Sequence, residues 1–234
     1  MISDPEHILS VVMKKRVSKI ALFDLGIVSE VDTWMFDLEH ISENEVNEAK
    51  LSLNLEELQR AELFVFDQHR RHFIVRRALL KIVLSHYVNI APKAVQIAYG
   101  QYKKPYLENN GHIYFNFSHT DAKGILAVTK RGQIGIDIEH IKPIKDKIEI
   151  LKQISSVGEQ VWVGKSLERF LILWTVKEAL IKCQGTGFLI DKAPLLNSPP
   201  VRINKNFFIA QYQSFSIYSI FTIGYRISLC FEAA

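Results

Sequence analysis

Apolar residues recur along this chain with two periods, and the periods predict its elements. Alternation marks strands at residues 31–38, 95–99, 113–117, 125–129 and 133–139, and again at 207–209, 215–223 and 225–231. The turn Arg131-Gly132 makes 125–129 and 133–139 read as a hairpin. Helical spacing marks 67–88, where Phe73, Leu80, Val83, Leu84 and Tyr87 form a stripe, and 167–184, where Phe170, Leu173, Val176, Leu180 and Cys183 do. Asn54 reads as the cap of a helix over 55–66, and shorter helical pieces fall at 148–154 and 158–163. Residues 42–53 are acidic and polar, a loop or a short helix; 141–146 read as a lysine-rich loop; 1–20 show no clear pattern. The order of elements predicts an α+β fold of two similar halves, 1–131 and 132–234. Each half is expected to be a small antiparallel sheet on a long helix, the two related by a pseudo-twofold, although no sequence repeat is visible.

The most informative stretch is Ile134-Gly135-Ile136-Asp137-Ile138-Glu139. In a strand the three isoleucines share one face, and Gly135, Asp137 and Glu139 share the other. Two carboxylates that close repel, so the face calls for a shared proton or a divalent cation, unless it is simply solvated. Gly135 leaves room for something to approach. On the second long helix Lys177 falls inside the apolar stripe, where a lone ammonium is costly, so an anionic partner is expected. Trp174, Glu178 and Lys182 follow at four-residue spacing and line one face.

Three cationic groupings qualify the picture. His69-Arg70-Arg71-His72 sits near the start of the first long helix, where the dipole favours anions; it is either an exposed basic turn or an invitation to an external anion such as phosphate. Tyr102-Lys103-Lys104-Pro105 is a turn with two cations. Ser118-His119-Thr120 stands at a strand's exit, as ordinary turn chemistry or as a grip for phosphate oxygens.

The chain's 234 residues are ample for a substantial core, and 48% hydrophobic with 23% charged residues is ordinary for a globular protein. A net charge of +4 and a pI near 8.9 suit an acidic partner but are too mild for a nucleic-acid coat. Cys183 and Cys230 have no disulfide or zinc spacing. No apolar run reaches membrane length, and the order of Asp4, Glu6 and His7 before Lys14-Lys15-Arg16 is not that of a secretory signal. The expectation is a cytoplasmic protein with neither nucleic-acid nor membrane partners. Carboxylates, lysines and a divalent ion form the toolkit of phosphoryl transfer.

Phe115-Asn116-Phe117-Ser118-His119, the strand 134–139, and Trp174-Thr175-Val176-Lys177-Glu178-Ala179-Leu180-Ile181-Lys182 resemble, in this order, the three motifs of the 4′-phosphopantetheinyl transferases. Length and layout are similar to the larger, surfactin-synthetase-activating type rather than to the small trimeric holo-carrier synthases, and Asp67 through Lys81 resembles the basic helix of cyanobacterial-like members. The resemblance covers most of residues 55–190. It implies transfer of the 4′-phosphopantetheine arm of coenzyme A to a serine of an apo acyl or peptidyl carrier protein, with release of 3′,5′-ADP, by a Mg2+-dependent monomer whose site lies between its halves.

By motif position, Asp137, Glu139 and Glu178 would hold Mg2+ against the diphosphate. Arg71 and Lys104 would hold the adenosine end with its 3′-phosphate, and Ser118 and His119 would grip phosphate oxygens. Lys177 and Lys182 would face the diphosphate, Lys182 stabilising the leaving phosphate, with Trp174 packed nearby. Glu159 aligns with a position proposed as general base in some members, and Glu178 is the other candidate. A carboxylate that ligates a metal is the poorer base, which favours Glu159 or a metal-bound water. The sequence departs from the family pattern at Lys103, where a glycine is usual, at His72, often arginine, and at Thr186, often lysine or aspartate. The alternatives are a non-catalytic module that binds coenzyme A or a carrier protein on the same scaffold, and a hydrolase of another nucleotide.

Overall fold

The computed structural model describes residues 13, 15–21, 30–108, 110–187, 194–196 and 198–232. The acidic residues on which the signal-peptide expectation rests lie outside them. The first half of the chain runs β1 (Val17–Ile20), β2 (Val31–Asp37), α1 (Glu43–Lys50), α2 (Leu55–Glu62), α3 (Asp67–Val88), β3 (Ile97–Tyr99), β4 (Pro105–Leu107), β5 (Tyr114–Thr120) and β6 (Lys123–Thr129). The second runs β7 (Ile134–His140), α4 (Lys147–Ile154), α5 (Val157–Val163), α6 (Leu167–Gln184), β8 (Val201–Arg202), β9 (Phe207–Tyr212), β10 (Phe215–Thr222) and β11 (Tyr225–Glu232). The class is α+β, as expected.

Local chemistry sets the helix ends. Ser42 with Glu45, Asn54 with Glu57 and Ser156 with Glu159 form capping boxes that satisfy the first free N–H groups of α1, α2 and α5. The acidic stretch 42–53 thus holds the short helix Glu43–Lys50. Asn89 and Gly185, both left-handed, close α3 and α6.

The strands form antiparallel sheets in the orders β1-β2-β6-β5 and β7-β11-β10-β9-β8, with β3 and β4 as a separate pair. Helix α3 covers one face of the first sheet, where Ile74, Leu79 and Val83 meet Trp34, Phe36, Leu126 and Val128. Helix α6 covers one face of the second, where Phe170, Val176 and Leu180 meet Ile217, Ala210 and Cys230. The remaining faces pack on each other: Ile125 and Ala127 share a core with Ile134, Ile136, Ile138, Ile227 and Leu229. Among the described residues no helix is long and apolar enough to cross a membrane.

Two expectations need correcting. Strands β6 and β7 are not a hairpin: β6 pairs with β2 and β5, whereas β7 pairs with β11, and the chain changes sheets at Arg131-Gly132. Burying Ile134, Ile136 and Ile138 against β6 face to face removes more apolar surface than pairing edge to edge would. Nor does the strand before Ser118 stop at Phe117. It runs on to Thr120, pairing Ser118 with Ile125 and His119 with Gly124.

Candidate active site

Strand β7 faces the first sheet with its isoleucines and helix α6 with Gly135, Asp137 and Glu139. The room beside Gly135 is taken by α6 itself. A methyl group there would stand 2.0 Å from the carbonyl oxygen of Ala179 and 2.4 Å from the amide nitrogen of Cys183. The glycine therefore admits a helix backbone, not a ligand, and the close approach brings Glu178 and Lys182 down onto Asp137. Across the sheet junction the Ile136 N–H donates to Asn116 Oδ1 at 2.8 Å, which holds β7 beside β5 and aligns Ser118 with Asp137.

Asp137 is buried. Its Oδ1 accepts from Lys182 Nζ at 2.6 Å and from Ser118 Oγ at 2.8 Å, and Lys182 also donates to Ser118 Oγ at 3.0 Å. Glu178 Oε2 lies 3.8 Å from the same ammonium. Trp174 Nε1 donates to Glu139 Oε1 at 3.1 Å. Burial raises the Glu178 pKa to about 7, Asp137 and Glu139 adding to the effect and Lys182 opposing it. Glu139 is pushed up for the same reason, by burial and then by Asp137. Burial works against the charge on Lys182, but Asp137 and Glu178 outweigh it and hold the ammonium above its usual range.

Asp137, Glu139 and Glu178 thus lie within electrostatic reach of one another, although among the described residues no three ligating side chains converge tightly enough to enclose a metal ion. Their chemistry nevertheless fits one. Asp137 Oδ2 is buried with no hydrogen-bond partner, and two neighbouring carboxylates are held above their normal pKa by burial and mutual repulsion, the condition that a hard divalent cation relieves.

Alternation along β5 sends Ser118 towards Asp137 and turns His119 the other way, to a cavity of about 670 Å³ lined by Phe64, His69, His72, Arg76, His119 and Asp121, among others. Arg76 has no carboxylate partner among the described residues and rests over the Phe117 ring at 5.9 Å; burial lowers its pKa to about 10. Enclosure by the pocket, with the charges of Arg76, Lys182 and His72, lowers His119 to about 4, and burial followed by Arg76 lowers His72. These are groups short of negative charge. Lys182 connects them to the acidic cluster, since it reaches Asp137 directly and His119 electrostatically.

Motif position implies Arg71 at the adenosine end; the residue of this helix that lines the cavity with His72 is Arg76, which no motif singles out. Arg71 instead pairs with Asp67 at 2.5 Å and Glu43 at 2.6 Å, outside the cavity lining. Helical spacing carries the distinction: His69, His72 and Arg76 are three and four residues apart and share a face that excludes Arg71. Lys104 also lies outside this cavity's lining. Its Nζ donates to Gln133 Oε1 at 2.6 Å and to the carbonyls of Cys183 at 2.7 Å and Ile134 at 3.2 Å, clamping the end of α6 to the start of β7. It borders a second cavity, of about 420 Å³, whose lining includes Tyr102, Tyr106, Tyr114, Asn110 and Gln184. Lys103 takes a left-handed conformation, φ 62°, the reason a glycine suits that position.

Lys177 and Glu159 form a pair apart from the acidic cluster. The Lys177 ammonium is fully buried, 2.9 Å and 3.0 Å from the two Glu159 oxygens and 2.6 Å from the Ile154 carbonyl. Glu159 also accepts from the backbone N–H groups of Ser156 and Leu196. The stripe lysine thus has its expected anion. The pair binds α6 to the start of α5 and the end of α4, and neither group faces Asp137.

Two family profiles match. That of the 4′-phosphopantetheinyl transferase superfamily covers residues 133–230, and that of the 4′-phosphopantetheinyl transferase N-terminal region covers 40–131. The chain belongs to the 4′-phosphopantetheinyl transferase superfamily and is an enzyme of the transferase class. It is 32% identical over 167 residues to the 4′-phosphopantetheinyl transferase HetI of Nostoc sp., covering 68% of this chain and 70% of the relative. Over 143 residues it is 29% identical to a putative 4′-phosphopantetheinyl transferase of Synechocystis sp., 58% of each chain. Over 121 residues it is 32% identical to the 4′-phosphopantetheinyl transferase AcpT of Escherichia coli K12, 50% of this chain and 58% of the relative.

Proposed function

We propose that this enzyme transfers the 4′-phosphopantetheine arm of coenzyme A to a serine hydroxyl of an apo acyl or peptidyl carrier protein and releases 3′,5′-ADP. The observation that carries the reading is the junction at Lys182: carboxylates around buried Asp137 on one side, and on the other a cavity with an arginine that has no carboxylate partner among the described residues. A diphosphate ester needs both, cations along its phosphates and carboxylates where a metal and a proton are handled.

Asp137, Glu139 and Glu178 would hold Mg2+, which when bound neutralises charge on the diphosphate. Arg76, His72 and His119 take a terminal phosphate of the substrate. Lys182, swinging from Asp137, binds the oxygens of the leaving phosphate. The serine oxygen attacks phosphorus, the bond from phosphorus to the bridging oxygen breaks, and the electron pair goes to the phosphate of 3′,5′-ADP. The serine proton leaves through water, because Glu178, as a metal ligand, would be the poorer base. Glu159 has its oxygens occupied by Lys177 and two backbone N–H groups, so we assign that pair to positioning α6. We read 1–131 and 132–234 as the two halves that meet at this site, in a monomer acting in the cytoplasm. The mildly basic chain suits an acidic carrier.

The test is incubation with several apo carrier proteins, coenzyme A and Mg2+, followed by mass spectrometry for the phosphopantetheine adduct. The expected result is an adduct that Asp137→Ala abolishes with the fold intact. Coenzyme A binding without an adduct on any carrier would instead support a binding module.

A further inference from the structure

We infer that Lys182 is the resident counter-cation of the acidic cluster, so that a divalent ion and the diphosphate substrate enter the site together rather than the ion first. The inference rests on the reading of Asp137, Glu139 and Glu178 as the metal-holding carboxylates.

The geometry is that of one cation serving several anionic or polar groups. The Lys182 ammonium is 2.6 Å from Asp137 Oδ1, 3.0 Å from Ser118 Oγ and 3.8 Å from Glu178 Oε2. Ser118 closes the triangle by donating to the same Asp137 oxygen. A divalent ion requires the same carboxylates, and two cations held on one buried carboxylate repel strongly in a low-dielectric site. Metal binding must therefore displace the ammonium or accept its repulsion.

The substrate supplies what makes displacement favourable. The diphosphate is an alternative anion for Lys182, beside a cavity that already carries Arg76, His72 and His119. Once the ammonium has turned to phosphate oxygens, Asp137 is left with uncompensated charge next to Glu139 and Glu178. Each ligand thus removes an obstacle to the other. Linkage is reciprocal: the factor by which coenzyme A tightens metal binding equals the factor by which the metal tightens coenzyme A binding.

The experiment uses Mn2+ as a spectroscopic stand-in for Mg2+. Its binding is followed by electron paramagnetic resonance, with and without saturating coenzyme A, and coenzyme A binding is followed by calorimetry with and without Mn2+. The proteins are the wild type, Lys182→Met, Lys182→Gln and Asp137→Asn. The wild type is expected to bind Mn2+ at least tenfold more weakly alone than with coenzyme A, with an equal factor in the reverse titration. Each Lys182 variant is expected to bind Mn2+ alone at least tenfold more tightly than the wild type and to lose most of the coupling. Unchanged or weaker Mn2+ binding by both Lys182 variants, with sensitivity to Asp137→Asn retained, overturns the role of Lys182 alone. Mn2+ binding that Asp137→Asn leaves untouched overturns the metal assignment itself. Two Lys182 variants of different polarity guard against one that fails to fold.

Discussion

Replacing Glu178 by glutamine separates the stability of this site from its activity. Burial, with Asp137 and Glu139, raises the Glu178 pKa from 4.5 to about 7 against the opposing charge of Lys182. A carboxylate whose folded pKa exceeds its unfolded value favours the fold while protonated. That contribution is fully present below pH 4.5 and is lost as pH rises through about 7, so at pH 8 the fold carries an ionised group that it disfavours. The displacement corresponds to about 3 kcal/mol at about 1.4 kcal/mol per pH unit. The side chain keeps 18% of its exposure, and water relieves part of the cost, leaving about 1–2 kcal/mol. Glu178→Gln keeps the shape and removes the charge, while Lys182 keeps its 2.6 Å bond to Asp137. The variant should therefore be more stable than the wild type at pH 8 by about 1–2 kcal/mol, or about 2–8 °C in Tm for a chain of this size. The gain should fade below pH 5, and phosphopantetheine transfer should be lost. Thermal and urea unfolding in a metal chelator at pH 5 and pH 8 measure this. No gain at pH 8, or a gain that persists at pH 5, refutes the electrostatic reading.

Arg76→Ala should weaken coenzyme A binding about tenfold or more in calorimetry, the loss of a charge-assisted contact to phosphate, whereas Arg71→Ala, whose partners are Asp67 and Glu43, should change it little. Lys177→Met leaves buried Glu159 without its cation and should cost about 3–5 kcal/mol in urea unfolding; adding Glu159→Gln should recover part of that loss. Lys103→Gly should relieve a left-handed backbone and stabilise the fold by about 1 kcal/mol. Gly135→Ala drives a methyl group into the α6 backbone and should cost about 3 kcal/mol or more, with loss of transfer even under conditions where the variant stays folded.

Local rules made the two long helices legible. The apolar stripes fix their extent, and α3 and α6 end where a left-handed Asn89 and Gly185 release the chain. The demand of buried Lys177 for an anion was equally local, but its answer, Glu159, lies 18 residues away on another helix and could not be read from spacing. Pairing is a long-range property. Arg131-Gly132 has the same sequence whether the chain folds back in one sheet or steps into the next, and only the burial of three isoleucines against β6 decides it. The fate of Ser118 and His119 hung on where β5 stops: as turn residues they can share one ligand, as strand residues they must divide between two faces. Family position implies the adenosine end for Arg71 and Lys104; in the structure Arg71 pairs with Asp67 and Glu43, and Lys104 meets three oxygen acceptors beside the second cavity.

The strand at the centre of the site shows how backbone packing governs its electrostatics. Every charge that matters there sits on β7 or α6, and the distance between those elements is set by a residue without a side chain. With Gly135 at the contact, the α6 backbone comes close enough for Lys182 to reach Asp137 at 2.6 Å and for Glu178 to feel both carboxylates of β7. A methyl group would hold the two backbones apart, relaxing the repulsion that raises Glu178 and lengthening the Lys182 bond together. Burial is the largest cause of the Glu178 shift, but the part that Asp137 and Glu139 add and the hold of Lys182 on Asp137 both depend on that spacing. A Gly135→Ala protein that folds should show both shifts at once in NMR titrations without metal: a lower Glu178 pKa and a lower Lys182 pKa, as the ammonium loses its hold on Asp137. Movement of one without the other would mean that the helix–strand spacing does not set the charge balance of the site.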